Sequence, residues 1–489
     1  MLNLLEQNVK MNVKRLRILR GWMDERCKER TISAFSQKHS VMIILVLESF
    51  IFYYVWNKYY SRGLWIEPFY AKGNIFIVLV YAAFMLLFLY IYGGFKIGYI
   101  KRGNLIYSQA LSGLCANVIM YLQIVLLYRR LPDVRPLLAM TLADLLVIGI
   151  CSYFFDKLFS YIFPPRDILL IYGEYPVEKL GGKIATRKDK FRIKERISVD
   201  KDFETIQKKI LEYENGGVLL GDIHSSDRNQ ILKFCYAHSI RVYLTPKVSD
   251  IIVRNGETLH LFDTPLLLCR NYGLNIGQAV SKRLWIWLIS VLMFIVASPF
   301  MLVTAIAIKA YDKGPVLFKQ KRLTIDGKEF YVYKFRSMIV DAEKDGVARL
   351  AKAGDSRITP VGKVIRATRL DELPQLLNII KGDMSLVGPR PERPEIAKEY
   401  EKEIPEFAFR LKVKAGLTGY AQIYGKYNTT AYDKLKLDMM YIESYSFIND
   451  LKLILSTFKI MFMKESTEGM EGEETIALSH QSEKEKKND

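Results

Sequence analysis

Histidine and cysteine are both scarce in this chain, and their placement excludes more than their number does. Each occurs five times in 489 residues. The histidines form no HExxH pair, so nothing supports a His-built metal centre. The cysteines, Cys27, Cys115, Cys151, Cys235 and Cys269, are odd in number, scattered and without a CxxC spacing. That removes both a disulfide framework and a zinc site, and leaves reduced thiols as the expectation. A GxGxxG turn is also missing, and with it the glycine pattern that lets a pyrophosphate approach a helix N-terminus. No cleavable signal peptide is expected, because the first apolar run begins late and lacks a small-residue cleavage site.

Long apolar runs are what the chain does have. Half of its residues are hydrophobic and its formal charge is +19, unlike an average soluble protein. Four runs crowd the first third: Val41 to Tyr60, Ile75 to Tyr92, Leu105 to Tyr128 and Leu137 to Phe163. Most are near or above the roughly 20 residues a helix needs to cross a bilayer. Trp56, Tyr59, Tyr60, Tyr90, Tyr92 and Tyr128 stand at their ends, as in an interfacial belt. Lys10, Lys14, Arg15, Arg17, Arg20, Arg26, Lys28, Arg30 and Lys38 precede the first run, an excess that places the N-terminus in the cytoplasm. Four spans then return the chain to the cytoplasm after Phe163. Glu48, Asp144 and Asp156 interrupt the runs. Ionisable groups inside a membrane are functional candidates, although Asp156 has Lys157 beside it and the other two could face neighbouring helices.

From Arg166 the texture changes. "RDILLIYG", "GGVLLG" and "IRVYLTP" read as strands, and "DKDFETIQKKILEYE" and "SSDRNQILKFCYAHS" as helices between them. Strands alternating with helices predict a small parallel α/β layer. Its first turn, "YGEYPVEKLGG", lacks the dinucleotide spacing, which favours a structural or regulatory role over a nucleotide site.

A fifth run, Leu284 to Ile308, is again long enough to span. Lys282 and Arg283 precede it, while Lys309, Lys313, Lys319, Lys321 and Arg322 follow, so both flanks have cytoplasmic character. Ser298 and Pro299 lie inside the run, where proline removes a hydrogen bond and bends the helix. A helix that enters, breaks there and leaves by the same face satisfies both observations. An ordinary kinked span fits the run taken alone.

Beyond it, "EFYVYKF" alternates like a strand, and "RLDELPQLLNIIKGDMSLVGPRP" sets Asp371 beside Glu372 in what reads as an amphipathic helix. Neighbours on a helix point about 100° apart, so the two carboxylates can meet one bound group from two directions. One would act as nucleophile and one as metal ligand or proton acceptor. Arg366 and Arg390 offer guanidinium forks suited to phosphate oxygens. Carboxylates beside arginines predict a phosphorylated substrate bridged by Mg²⁺. Alone, an Asp-Glu pair is weak evidence.

The run of motifs is more specific. "TRLDELPQLLNIIKGDMSLVGPRPE", preceded by "YVYKFRSM" and "ASPF", resembles the bacterial sugar transferases that act as monotopic polyprenyl-phosphate phosphoglycosyl transferases, from about Lys282 to Phe462. The chain as a whole resembles the long form, which initiates exopolysaccharide, capsule or O-antigen synthesis. The resemblance implies that Asp371 attacks the β-phosphate of a UDP-sugar, releasing UMP, and that undecaprenyl phosphate then takes the sugar phosphate. Glu372 would hold Mg²⁺ or assist the incoming phosphate, with Asp371 sharing the metal. Arg366, Arg390 and Lys334 would bind phosphate oxygens, and Ser298 and Pro299 would make the re-entrant bend. The chain departs from the family pattern at Lys414, Ala415 and Gly416, where Arg-Pro-Gly is frequent, at Tyr420, often tryptophan, and at Ile286, often aspartate.

The expected fold is thus a membrane protein with an α-helical four-span N-terminal bundle, a middle α/β Rossmann-like module and a C-terminal mixed α/β catalytic domain. Its parts would be a basic cytoplasmic N-terminus (1–40), four transmembrane helices (41–163), a degenerate Rossmann-like module (164–270), the catalytic domain (279–464) with a re-entrant membrane helix (284–308), and a disordered tail (465–489). The amphipathic "NDLKLILSTFKIMFMK" would lie at the membrane surface or in the core of the catalytic domain. Expected partners are a UDP-sugar, undecaprenyl phosphate and membrane lipid, with no nucleic acid and a possible homodimer. The expected location is the bacterial cytoplasmic (inner) membrane, multi-pass, with the catalytic domain on the cytoplasmic face. A sugar-nucleotide-binding scaffold without catalysis, or a polysaccharide transport component, is the alternative.

Overall fold

The computed structural model describes residues 38–65, 69–173, 181, 182, 184–261, 263–269, 273–340, 355, 357–425 and 429–461. The basic N-terminal segment up to residue 37 and the expected disordered tail lie outside the described residues. The chain divides into two compact units, Met1–Thr245 and Pro246–Asp489.

The first unit begins with four long helices: α1 (Lys38–Tyr60), α2 (Ala71–Tyr92), α3 (Arg102–Tyr128) and α4 (Arg135–Ile162). Each is long and apolar enough to cross a membrane. Their starts lie two to four residues ahead of the apolar runs. Leu105, Ser108, Ser112, Ala116, Met120 and Ile124 are buried at helical spacing along α3, and small residues on such a stripe let neighbouring helices approach closely. Polar ties cross between helices. Trp56 donates to Asn74 Oδ1 at 2.8 Å, Tyr128 to the Tyr60 carbonyl at 2.6 Å, and Gln109 to the Gly94 carbonyl at 3.0 Å.

A four-stranded parallel sheet follows, in the order β2-β1-β3-β4. Its strands are β1 (Arg166–Tyr172), β2 (Phe191–Ser198), β3 (Val218–Leu220) and β4 (Val242–Leu244), with α5 (Phe203–Glu212) and α6 (Ser225–Ala237) between the later strands. Strand side chains alternate between faces. Leu169 and Ile171 of β1 accordingly join Ile206, Ile210 and Ile231 on one side, and Ile168 and Leu170 join Leu219 on the other. The parallel α/β layer expected from the sequence is therefore present. β2 was not expected. It lies at the sheet edge and its charged residues Arg192, Lys194 and Arg196 keep it from reading as a buried strand.

The second unit opens with α7 (Val248–Arg254) and the antiparallel hairpin β5 (Glu257–Leu259) and β6 (Leu266–Leu268). Val248 and Ile251 lie in the core of this unit together with Leu376, Leu386, Met439 and Leu453. Next comes α8 (Ile276–Asp312), a 37-residue helix started by a reciprocal cap between Asn275 and Gln278. Pro299 lies inside it, and Ser298 Oγ donates to the Ile295 carbonyl at 2.8 Å.

The remaining elements are the antiparallel pair β7 (Leu317–Leu323) and β8 (Glu329–Phe335), α9 (Pro360–Ala367), α10 (Gln375–Lys381), β9 (Ser385–Val387), α11 (Pro394–Glu403), β10 (Gly416–Thr418), α12 (Tyr420–Tyr424), α13 (Ala431–Glu443) and α14 (Phe447–Met461). β9 and β10 pair in parallel. The segment offered to either membrane or core, α14, buries Leu453 and Ile454 in the core while Phe447, Ile448 and Phe458 stay exposed.

Candidate functional site

Asp371 and Glu372 do not lie in an α-helix as the sequence pattern suggested. They occupy a single 3₁₀ turn, Leu370–Glu372, entered through Arg369 at φ +58°. The left-handed residue ends the preceding helix. Pro374, whose ring lacks a backbone donor and suits a helix start, opens the next. The pair thus stands at a joint between α9 and α10 rather than on a helix face.

Both flanking helices are fixed from their sequence. Thr359 caps α9 by accepting from Gly362 N at 2.9 Å, and Pro360 follows at the first helical position. In α10, buried Asn378 takes the Tyr333 N–H at 3.0 Å and gives its amide to the Tyr331 carbonyl at 2.8 Å. One side chain therefore ties α10 to the edge of β8. Alternation along β8 puts Lys334 in phase with buried Phe330 and Val332. Its Nζ lies 3.3 Å from Glu372 Oε1.

Arg390 reaches the same oxygen, Nη2 to Glu372 Oε1 at 2.8 Å. It belongs to "GPRPE", which is anchored by close backbone packing: Gly388 N donates to the Thr418 carbonyl at 2.9 Å and Gly416 N to the Pro389 carbonyl at 2.8 Å. A Cβ on Gly388 would strike the Lys414 carbonyl and one on Gly416 the Gly388 backbone, so neither position tolerates a side chain. Arg410, 4% exposed, adds a second layer. It donates to the Arg390 carbonyl at 3.0 Å and to Asp438 Oδ2 at 2.6 Å, and lies 3.6 Å from Glu392. Arg322 is 3.8 Å from Glu392 and donates to the Pro391 carbonyl at 3.1 Å.

These contacts split the two carboxyls electrostatically. Burial would raise both, but Arg390 and Lys334 outweigh it at Glu372 and hold that carboxyl well below the usual range. Glu372 in turn raises the Arg390 guanidinium. Asp371 is different. Burial and then the Glu372 charge push it up to about 6, against the weaker pull of Lys334, Arg366 and Arg369. Its carboxylate accepts no hydrogen bond and makes no ion pair among the described residues. Two neighbouring acids pushed apart in this way are suited to different tasks.

Of the residues singled out in the sequence, the structure brings Asp371, Glu372, Lys334 and Arg390 together. Arg366 lies within electrostatic reach of Asp371 but forms no ion pair among the described residues. Ser298 and Pro299 belong to α8, away from this cluster of charges in sequence. Lys414, one of the departures from the family pattern, donates to the Gly382 carbonyl at 2.7 Å and so supports the end of α10. Ile286 is a buried core residue and Tyr420 donates to Asn449 Oδ1 at 3.1 Å. Arg322, Arg410, Glu392 and Asp438 were not anticipated. Only Glu392, directly after "GPRP", carried a local signal.

The same geometry bears on a metal ion. No group of three or more His, Cys, Asp and Glu side chains stands together among the described residues. Asp371 presents a carboxylate free of hydrogen-bond donors, and the two cations share only Oε1 of Glu372. This hard-oxygen pair fits Mg²⁺, which commonly takes one or two carboxylates and draws its other ligands from phosphate and water.

A strained joint that carries one free and one cation-locked carboxylate thus lies in the same unit as a long apolar helix. Residues 277–464 match the family described as bacterial sugar transferase. A UDP-N-acetylgalactosamine-undecaprenyl-phosphate N-acetylgalactosaminephosphotransferase of Aeromonas hydrophila is 36% identical over 252 residues, covering 49% of this chain and 57% of the relative. A UDP-glucose:undecaprenyl-phosphate glucose-1-phosphate transferase of Klebsiella pneumoniae is 44% identical over 205 residues, 41% and 42% of the two chains. An undecaprenyl-phosphate galactose phosphotransferase of Salmonella typhimurium is 32% identical over 246 residues, 47% and 50%. The chain spans about half the length of the curated relatives it matches.

Proposed function

We propose that this protein transfers a sugar 1-phosphate from a UDP-sugar to undecaprenyl phosphate, releasing UMP and forming a lipid-linked diphosphosugar. The observation that carries the proposal is the free carboxylate of Asp371 beside the locked carboxylate of Glu372. In the first step Asp371 attacks the β-phosphorus, a P–O bond forms, and the bond to the bridging oxygen breaks with UMP as leaving group. In the second, an oxygen of undecaprenyl phosphate attacks the same phosphorus and the aspartyl carboxylate departs unchanged. Splitting one transfer into two displacements is the use of a covalent nucleophile, and positioning with charge neutralisation supplies most phosphoryl-transfer catalysis.

Arg366, within electrostatic reach of Asp371 and without an ion pair among the described residues, would meet phosphate oxygens. Lys334 and Arg390 keep Glu372 ionised and offer their remaining donors to the same group. Mg²⁺, when bound by Glu372 or Asp371 together with the diphosphate, would supply further charge neutralisation.

The membrane arrangement is part of the proposal. α1 to α4 would form four spans with the N-terminus cytoplasmic, and α8 would enter and leave by the cytoplasmic face of the bacterial inner membrane. Two facts support the re-entrant reading of α8. Its middle residues Leu292, Ile295, Val296, Phe300, Leu302 and Val303 are all about two-thirds exposed apolar surface. Both of its ends hold the same domain: Arg283 donates to the Ile379 and Ile380 carbonyls at 2.6 and 2.8 Å, and buried Lys282 pairs with Asp450 at 3.2 Å. At the far end Asp312 pairs with Arg336, and Ile308 packs on Phe335 and Ile365. A straight helix at 1.5 Å per residue would carry those ends about 40 Å apart. The catalytic domain would cover 279–464, and Val248 and Ile251, assigned from the sequence to the 164–270 module, pack into the core of the second unit.

The test is nucleotide release from a panel of UDP-sugars by the membrane-embedded protein, with Mg²⁺ and undecaprenyl phosphate. UMP from one preferred sugar, lost in Asp371→Asn and on chelation of Mg²⁺, is the expected result. Release of UDP would mean that the sugar moves without its phosphate, and no release from any donor would favour a binding scaffold.

A further inference from the structure

The four N-terminal helices enclose polar groups that the transferase reading leaves without a task. Glu48 of α1 and Asp144 of α4 are buried, at 0% and 2% exposure, as are Tyr81 of α2 at 0% and Asn117 of α3 at 2%. Each lies in the middle third of its helix, so the four helices converge on one level of the bundle. Tyr81 is within electrostatic reach of both carboxyls, and the carboxyls are within reach of each other. Asn117 donates its amide to Asp144 Oδ2 and to Thr141 Oγ1, both at 3.0 Å.

The bonds end there. Both oxygens of Glu48, Oδ1 of Asp144, Oδ1 of Asn117 and the Tyr81 hydroxyl are buried with no hydrogen-bond partner. No lysine, arginine or histidine forms an ion pair with either acid among the described residues. The Tyr81 hydroxyl could donate to a carboxylate, yet it bonds to neither. Five oxygens on four helices, linked by the Asn117–Asp144 hydrogen bond and by electrostatic reach among Glu48, Asp144 and Tyr81, are therefore left without the partner that a bound cation would supply. Two bare carboxylates in such a place would carry a heavy desolvation cost.

We propose that this cluster is a binding site for one dehydrated monovalent cation of about sodium size, held by Glu48 and Asp144 with Asn117 and Tyr81. The amide and phenol oxygens, with carboxylates from two helices, form a hard-oxygen set. Mg²⁺ suits it poorly because that ion dehydrates reluctantly and keeps several waters, whereas the four side chains that carry these oxygens are at most 2% exposed. One carboxyl can retain a proton, which leaves a single negative charge to match a single positive ion. The ion would join α1, whose Glu48 carboxylate is unpartnered among the described residues, to α3 and α4.

The test uses the full chain in nanodiscs and reads thermal unfolding and ²²Na⁺ binding, so it stands whether or not the transferase reading holds. Sodium chloride should raise Tm saturably above choline chloride at equal ionic strength, with one ion bound per chain. Glu48→Gln and Asp144→Asn should each weaken the apparent affinity by about tenfold or more, with the loss in Tm shift that linkage requires. Equal Tm in sodium, potassium, lithium and choline salts, with no bound ²²Na⁺ in the wild type, would overturn the proposal and make the cluster a protonated acid pair. So would sodium stabilisation that survives in both variants. If neither variant folds, the wild-type stoichiometry and salt series decide alone.

Discussion

At the scale of single residues, two adjacent acids have opposite environments. Asp371 is unpaired among the described residues, and Glu372 pairs with both Lys334 and Arg390. A nucleophilic carboxylate must be ionised, and Asp371 is raised to about 6. UMP release should therefore fall as pH drops through about 6 and level off above 7, the falling limb being absent only if another group attacks. A pH profile of the first half-reaction checks this. Behind the pair, Arg410 depends on Asp438, itself pushed up to about 6 by burial and held down in part by that guanidinium. Asp438→Ala leaves the buried Arg410 with only its longer pairing to Glu392 at 3.6 Å, and loss of one partner of a buried pair typically costs about 3–5 kcal/mol. Chemical denaturation of the membrane-embedded variant should show a loss of that order, together with weaker UMP release as Arg390 loses its support. Asp371, Glu372, Lys334 and Arg390 were legible in the sequence because short motifs contain them. Arg322, Arg410 and Asp438 were not, since their partners are far away in the chain and each looks like an ordinary surface charge until the fold buries it.

At the scale of elements, what the sequence could express was periodicity. Apolar runs marked α1 to α4 to within a few residues at their starts, and the strand alternation of "EFYVYKF" placed Lys334 in register with the core. Two local patterns misled. The charged edge strand β2 hid its apolar face, and the amphipathic run around Asp371 concealed a 3₁₀ joint, because one left-handed arginine has no signature in hydrophobic spacing. α8 offers a direct test of the proposed membrane geometry. With Pro299 in place, a cysteine introduced at Lys313 should label from the same side as one at Gln278. In Pro299→Leu the helix regains a backbone hydrogen bond and should lose the proposed bend, so labelling at residue 313 should move toward the opposite side and UMP release should fall.

For the whole molecule, the match to bacterial sugar transferases falls entirely within the second compact unit. A chain beginning at Pro246 should accordingly insert through α8 and release UMP from its preferred donor, with the first unit contributing to stability and assembly rather than to the chemical step. Activity assays of that truncation against the full chain check the division of labour; complete loss with the second unit still folded would assign chemistry to the first. The sugar itself leaves no mark that a motif can carry, because hydroxyl and amide differences are read by a few contacts. Central to all these points is the proposed covalent role of Asp371, and intact-mass spectrometry tests it most directly. Incubated with the preferred UDP-sugar and Mg²⁺ but no lipid acceptor, the wild-type chain should gain the mass of one sugar phosphate, mapped to Asp371 and discharged on addition of undecaprenyl phosphate. UMP release with no adduct in rapidly quenched samples, or an adduct that persists in Asp371→Asn, would contradict it.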